Sequence, residues 1–266
     1  MPPAALDTEA ELDRAARIVH PRVRLVLWRG QPAWLKPVKP TPPHWRDRLL
    51  AGLAAAVGLP EIQPLPPHGG RAALALEVRR LAELRTAGLR VPLLLTSAPD
   101  WLLLSHLGHD TLETRLGQGR DPDARLQSWR VGADYLVATH AAGHYLGQAF
   151  ARNFVWSDAQ GLGAIDFEDD ALARLTLTQA QVRDWLTYGF STACYFPGHA
   201  GCLAAAFGHA LANEPDAVRL GLGRILRRVR WLERMGAWPR RLQGRDWVKA
   251  WHFGELARQL GDAEKS

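Results

Sequence analysis

The chain of 266 residues has little cysteine, no long apolar run and no repeat. Its two cysteines, Cys194 and Cys202, cannot build a disulfide framework, and without a His/Cys cluster around them they make a poor metal site. Two small side chains in a reducing compartment is the simpler reading. The longest apolar stretch, Leu49 to Leu59, is too short to span a bilayer. The first residues, Met1-Pro2-Pro3-Ala4-Ala5-Leu6-Asp7, have neither the basic start nor the apolar run of a signal peptide. A cytoplasmic protein, peripheral at most to an inner membrane, is therefore expected.

Acidic excess is also missing. The net charge is +6 and the sequence pI about 9.8, which favours an anionic partner such as a nucleotide, a phosphorylated sugar, a lipid headgroup or nucleic acid. The basic residues crowd the C-terminal third, where Arg219, Arg224, Arg227, Arg228, Arg230, Arg234, Arg240, Arg241, Arg245, Lys249 and Arg258 interleave with Trp231, Trp238, Trp247 and Trp251. Such a segment suits an anionic membrane surface. Packed tryptophans with solvated arginines are the simpler reading, and nucleic acid is the weakest of the three.

The pattern predicts a strand-rich first part and a helical second part. Thr8-Glu9-Ala10-Glu11 is a capping box, so a helix is expected over about 8–19. Val23, Leu25 and Leu27 alternate, Arg29-Gly30-Gln31 reads as a turn, and Ala33 to Val38 as a return strand. Connectors at 39–47 and 58–70 flank a helix over Leu49–Val57. Leu74, Val78, Leu81 and Leu84 share a face of a helix from Ala72 to Thr86, stopped by Gly88. Two buried strands, Val91–Leu95 and Trp101–Leu104, are expected around a turn at Ser97-Ala98-Pro99-Asp100. A helix should begin near Thr111, and helices should dominate from residue 124 apart from a loop at 141–170.

That loop carries the strongest chemical signal. Asn153 precedes a short polar stretch, and Asp166 ends the apolar run Ala164-Ile165. One neutral and one charged oxygen suit a hard cation that bridges nucleotide phosphates, as in kinase catalytic cores. In the pattern H-R-D-L-x-x-x-N the catalytic Asp lies five residues before the Asn; here that position is Gln148, and the His position is Leu146. An amide cannot take a proton, but it can hydrogen-bond a substrate hydroxyl.

With these motifs, residues 20–170 resemble the protein-kinase-like superfamily, and within it the bacterial lipopolysaccharide-type kinases that include the Kdo and core-heptose kinases. The resemblance implies an α+β, two-lobed fold: an N-lobe over 1–104, a hinge over 105–110 that includes His106, and a helical C-lobe over 111–266 with a catalytic loop at 140–170. It implies ATP and Mg²⁺ as cofactors and a sugar or glycolipid acceptor. Lys36 stands at the phosphate lysine, Glu77 at its helix partner, and Asn153 and Asp166 at the metal ligands. The family's glycine-rich loop is not recognisable, and a helix stands where its first strand would be.

Plainer readings stand beside these. Lys36 could be a surface lysine next to Lys39, and Glu77 could pair with Arg79 or Arg80 on its own helix. Arg152 could neutralise phosphate charge or be solvated. Glu168, Asp169 and Asp170 read as a spare base, as metal ligands or, more simply, as a polar loop. His140 and His144 have metal-ligand spacing if they share a helix face, but no third ligand accompanies them.

Overall fold

The computed structural model describes residues 3–17, 23–38, 61, 69–119, 121–237 and 245–263. The expected helix at Leu49–Val57, nearly all of both connectors around it, and Trp238, Arg240 and Arg241 lie outside the described residues. The fold is α+β.

A five-stranded sheet comes first, built from β1 (Ala4–Leu6), β2 (Arg24–Trp28), β3 (Gln31–Pro37), β4 (Leu94–Ala98) and β5 (Trp101–Ser105) in the order β1-β2-β3-β5-β4. The capping box is present at Thr8 and starts helix α1 (Glu9–Ala16). Both a strand and a helix thus precede β2, where the sequence suggested a helix alone. β1 pairs with β2 in parallel, so α1 is a crossover lying on one face of the sheet. β2 and β3 form an antiparallel hairpin whose turn, Arg29-Gly30, has φ of 49° and 76°. Two left-handed residues give the tight turn that matches strand twist, which explains the glycine.

Side-chain alternation divides the sheet between two cores. Ala33, Leu35, Trp101 and Leu103 face α1 and pack with Leu6, Leu12, Val26 and Trp28. Leu102 and Leu104 point the other way, into the main core with Leu74, Leu81 and Leu84 of helix α2 (Gly70–Thr86). Trp34 and Lys36, out of phase with Ala33 and Leu35, lie on this second face. β4 differs from expectation. It begins at Leu94 rather than Val91, runs to Ala98, and is an edge strand with an irregular register between Leu94 and Thr96. Leu93, Leu94 and Leu95 are exposed rather than buried, because consecutive residues cannot all face one core.

A second, three-stranded sheet holds β6 (Asp110–Thr111), β7 (Phe154–Ser157) and β8 (Gly161–Ala164). Around it pack α3 (Leu112–Gln118), α4 (Pro122–Ala141), α5 (Leu177–Thr192), α6 (Ala200–Leu211), α7 (Asp216–Val229), a 3-10 stretch at Arg230–Ala237 and α8 (Arg245–Ala263). Trp129, Trp185, Tyr188 and Phe207 are fully buried together; Trp185 and Phe207 lie 5.0 Å apart by ring centroid. Gly132 permits α4 to approach α5, since a Cβ there would lie 2.3 Å from the Tyr188 hydroxyl. The main core is continuous from α2 and β5 through α5, α6, α7 and α8, and crosses the boundary expected at residue 104.

Among the described residues of the basic third, several cations are paired. Arg224 meets Glu61 at 3.0 Å, and Arg258 meets Glu233 at 2.8 Å. Trp247 and Trp251 are half-buried, while Trp231 is exposed. No helix among the described residues is long and apolar enough to cross a membrane.

Candidate functional site

Lys36 is the centre of the site. It is buried, and its Nζ lies 2.7 Å from Glu77, 2.6 Å from Glu168 and 3.2 Å from Asp166. Glu77 reaches it because it falls on the apolar stripe of α2, three residues after Leu74 and four before Leu81, on the face turned to the sheet. Neither plain reading of the pair holds: Lys36 is not a surface lysine, and Arg79 and Arg80 instead meet Glu83. Burial opposes the charge on Lys36, but Glu77, Asp166 and Glu168 outweigh it, so its pKa is raised and the ammonium is held protonated. Three carboxylates around one ammonium leave the cluster short of positive charge.

A cleft of about 340 Å³ opens beside the cluster, and Lys36, Glu77, Asn153 and Asp166 all line it. The remaining wall is mostly apolar, including Val23, Leu104, Leu107, Val155 and Ile165. Ser105, Leu107 and Gly108 bring the expected hinge to the cleft edge. Gly108 is required there, because a Cβ would sit 1.9 Å from the Trp156 carbonyl oxygen. His106 is not a wall residue. It stacks on Trp34 at 6.1 Å and against His109 at 4.7 Å, and both of those line the cleft. Burial, with the neighbouring His109, lowers the His106 pKa and favours a neutral ring.

Asn153 closes a 3-10 turn, Ala151–Asn153. Its Nδ2 donates to the Gln148 carbonyl at 3.0 Å, which commits the nitrogen to the loop and leaves Oδ1 for the cleft. Asp166 has a backbone φ of 72°. A left-handed aspartate is uncommon, and such strained backbone concentrates at functional positions. Arg152 is exposed, with its guanidinium 4.3 Å over the Phe150 ring, and it is not among the cleft-lining residues.

The catalytic-loop-like segment hangs from a second charged cluster. Asp184 of α5 accepts the backbone N–H groups of Leu146 at 2.6 Å and Gly147 at 2.8 Å. His140 lies between Asp184 at 3.4 Å and Glu214 at 2.7 Å, with all three side chains sealed from solvent. Burial alone would lower the His140 pKa; its bonds to Asp184 and Glu214 raise it on balance. The metal spacing of His140 and His144 does not arise, because α4 ends at Ala141 and the two do not share a helix. Arg80 ties the same segment to α2, donating to the Tyr145 carbonyl and lying 3.9 Å over the Tyr145 ring.

Sequence reasoning missed Glu168 on Lys36 and the Asp184–His140–Glu214 cluster. Asp184 left one signal, an acid on a helix face otherwise filled by Ala180, Trp185 and Tyr188. Glu214, close to α5 only in space, left none. Among the described residues no group of three or more His, Cys, Asp or Glu is arranged to hold a metal. Asn153 and Asp166 form a smaller set, of the kind that a cation completes with phosphates and water.

No protein-family model matches this chain, and a search of curated proteins also finds no match.

Proposed function

We propose that the protein is a two-lobed, kinase-like phosphotransferase. It binds ATP with Mg²⁺ in the cleft between the strand-rich and helical parts, and moves the terminal phosphoryl group to a hydroxyl of a sugar, a glycolipid or another small acceptor. The observation that carries this reading is the convergence of Lys36, Glu77 and Asp166 within 3.2 Å of one nitrogen, at a cleft that Asn153 shares. These residues are 130 positions apart at the extremes. Their meeting at an apolar slot is the arrangement that phosphoryl transfer asks for: a fixed cation for phosphate, a carboxylate to hold that cation, and two oxygens for a metal. The strand order and the hinge beside the slot fit the same plan.

The residues fit a divalent cation. A cluster with three carboxylates and one ammonium gains by adding positive charge, and Asn153 and Asp166 are two oxygen-bearing side chains that line the cleft. When bound there, Mg²⁺ would neutralise phosphate charge. Lys36 would then contact phosphate oxygens, held by Glu77, while the apolar wall takes the base. Arg152 would have to swing off Phe150 to reach the phosphates.

Melting the protein with ATP, Mg²⁺, both or neither tests the reading. Ligand at a hundred times its Kd should stabilise by about 2.7 kcal/mol. Asp166→Asn should lose the Mg²⁺-dependent part of the gain and Lys36→Met most of all of it. No gain for the wild type in any combination would sink the proposal.

Gln148 favours a second reading, a pseudokinase that binds nucleotide as a scaffold and transfers nothing. It is separated from the first by ATP turnover at saturating nucleotide. Contact with an anionic membrane surface belongs to the same proposal; exposed Trp231 beside the basic α7 supports it. Flotation with anionic but not neutral liposomes, weakened by salt, is the expected result.

A further inference from the structure

Resting on the phosphotransferase reading, we propose that Glu168 competes with phosphate for Lys36. It keeps the ammonium when nucleotide arrives alone and gives it up when nucleotide arrives with a divalent cation. The cleft thereby takes the metal-bound nucleotide and disfavours the free one.

An ammonium has three N–H donors and no acceptor. Three carboxylates surround that of Lys36: Glu168 at 2.6 Å, Glu77 at 2.7 Å and Asp166 at 3.2 Å. Lys36 is also the sole lysine or arginine among the described residues that line the cleft. A phosphate oxygen that enters the cleft reaches this charge only by displacing a carboxylate.

The three acids are held differently. Glu77 has 1% of its side chain exposed and sits on the buried stripe of α2, so leaving Lys36 would strand its charge away from water. Asp166 makes the longest contact and lines the cleft, where it is the carboxylate offered to the cation. Glu168 makes the shortest contact and is not among the cleft-lining residues. It lies in a stretch, 165–170, that is neither helix nor strand, next to the buried Phe167. Its carboxylate is partly open and can turn to water while Phe167 holds the backbone.

Charge balance supplies the coupling. With Glu168 in place, acids outnumber the ammonium, and a metal-free triphosphate adds negative charge to that surplus. Positive charge arriving with the phosphates offsets the surplus at Asp166. Lys36 then exchanges Glu168 for a phosphate oxygen, and no covalent bond changes.

The test is calorimetric titration of the full chain with ATP, in excess Mg²⁺ and in chelator. Wild type should bind ATP at least about tenfold more weakly in chelator. Glu168→Gln keeps the shape and an acceptor for Lys36 but removes the charge. It should tighten the binding of metal-free ATP roughly tenfold, the scale of one charged hydrogen bond, and change that of ATP with Mg²⁺ less than about threefold. Tripolyphosphate in chelator should gain as ATP does, and adenosine should not. Asp170→Asn removes the same charge from the same segment, but from beside Arg79 rather than Lys36, and should gain less than about threefold. Glu168→Ala carries the test if Glu168→Gln melts too low to assay. Metal-free ATP binding within about threefold of wild type in the Glu168 variant would overturn the inference. So would an equal gain in Asp170→Asn, or a wild type indifferent to Mg²⁺. If wild type binds ATP with Mg²⁺ and the variant gains nothing, the inference falls while nucleotide binding stands. If neither protein binds ATP in either condition, the phosphotransferase reading itself falls.

Discussion

Lys36 and His140 each sit among carboxylates, yet their surroundings differ in the respect that separates a candidate site from a support. Lys36 has three carboxylate neighbours, two of them partly open to solvent, with 29% of the Asp166 side chain and 15% of the Glu168 side chain exposed. Its charges do not cancel, and the cluster borders a cleft. His140 has two carboxylates, and all three side chains are 0% exposed. There the Asp184 carboxylate takes backbone N–H groups of the loop, and the Trp185 indole donates to Glu214 Oε1 at 2.9 Å. A sealed cluster that binds the loop backbone holds the chain in place, even with one Glu214 oxygen left without a partner. An unbalanced one at a cleft has capacity left for a ligand.

Asp184→Ala should therefore be the most damaging change. It strands two loop N–H groups and the Nε2 of His140 in a site closed to solvent, and the loss should be roughly 3–5 kcal/mol. Urea denaturation followed by tryptophan fluorescence measures it. A loss under about 1 kcal/mol, the scale of one ordinary hydrogen bond, would break the comparison at its firmer end. Lys36→Met should cost less, roughly 1–3 kcal/mol, because Asp166 and Glu168 can turn to water while Glu77 takes up a proton. The same variant should lose nearly all stabilisation by ATP, whereas any foldable change at Glu214 should keep it. A stability loss at Lys36 exceeding that at Asp184 would reverse the assignment of roles.

pH separates the clusters more gently. The His140 pKa is raised in the folded protein above its ordinary value, about 6.5 when unfolded. The protonated ring is thus favoured by folding. Its contribution is complete below about pH 6.5 and is lost as pH rises toward the folded value, with a slope of at most ~1.4 kcal/mol per pH unit. Stability measured from pH 6 to pH 9 should decline in the wild type. His140→Gln should remove this part of the decline, although it lowers stability throughout. Equal slopes in the two proteins would mean that the ring is neutral in the folded state.

Much of the first sheet was legible because its signals are local. The capping box at Thr8, the Arg29-Gly30 turn and the stripe of Leu74, Leu81 and Leu84 each lie within a few residues and each formed as read. Lys36 and Glu77 stand out only through the resemblance, as a lysine late in a strand and a glutamate in the next amphipathic helix; neither spacing alone excludes a surface lysine or a pair within the helix. β1 was not legible, since a three-residue parallel strand is defined only by its partner. β4 misled because Leu93-Leu94-Leu95 is apolar without being alternating, and an edge strand with an irregular register leaves such residues exposed. The role of Glu168 depends on how the chain turns after Asp166, where the left-handed backbone sends the next acid back to Lys36. No spacing rule contains that turn.

The smallest effect is expected where charge is paired at the surface. Arg258 contacts Glu233 at 2.8 Å and Asp262 at 3.2 Å, with 38% of its own side chain exposed and 35% and 56% of its partners'. By count of partners it resembles His140, and by geometry it is better bonded. Water and salt nevertheless screen it, and three flexible side chains lose entropy in holding it. Arg258→Ala should change stability by no more than ~1 kcal/mol, and high salt should shrink even that. Glu233→Gln should add little to it, because the two act on one contact. Melting both variants at low and high salt checks this. A loss comparable to that of Asp184→Ala, persisting in salt, would mean that the number of partners rather than their seclusion sets the cost. The contrast between the Lys36 and His140 clusters would then need another basis.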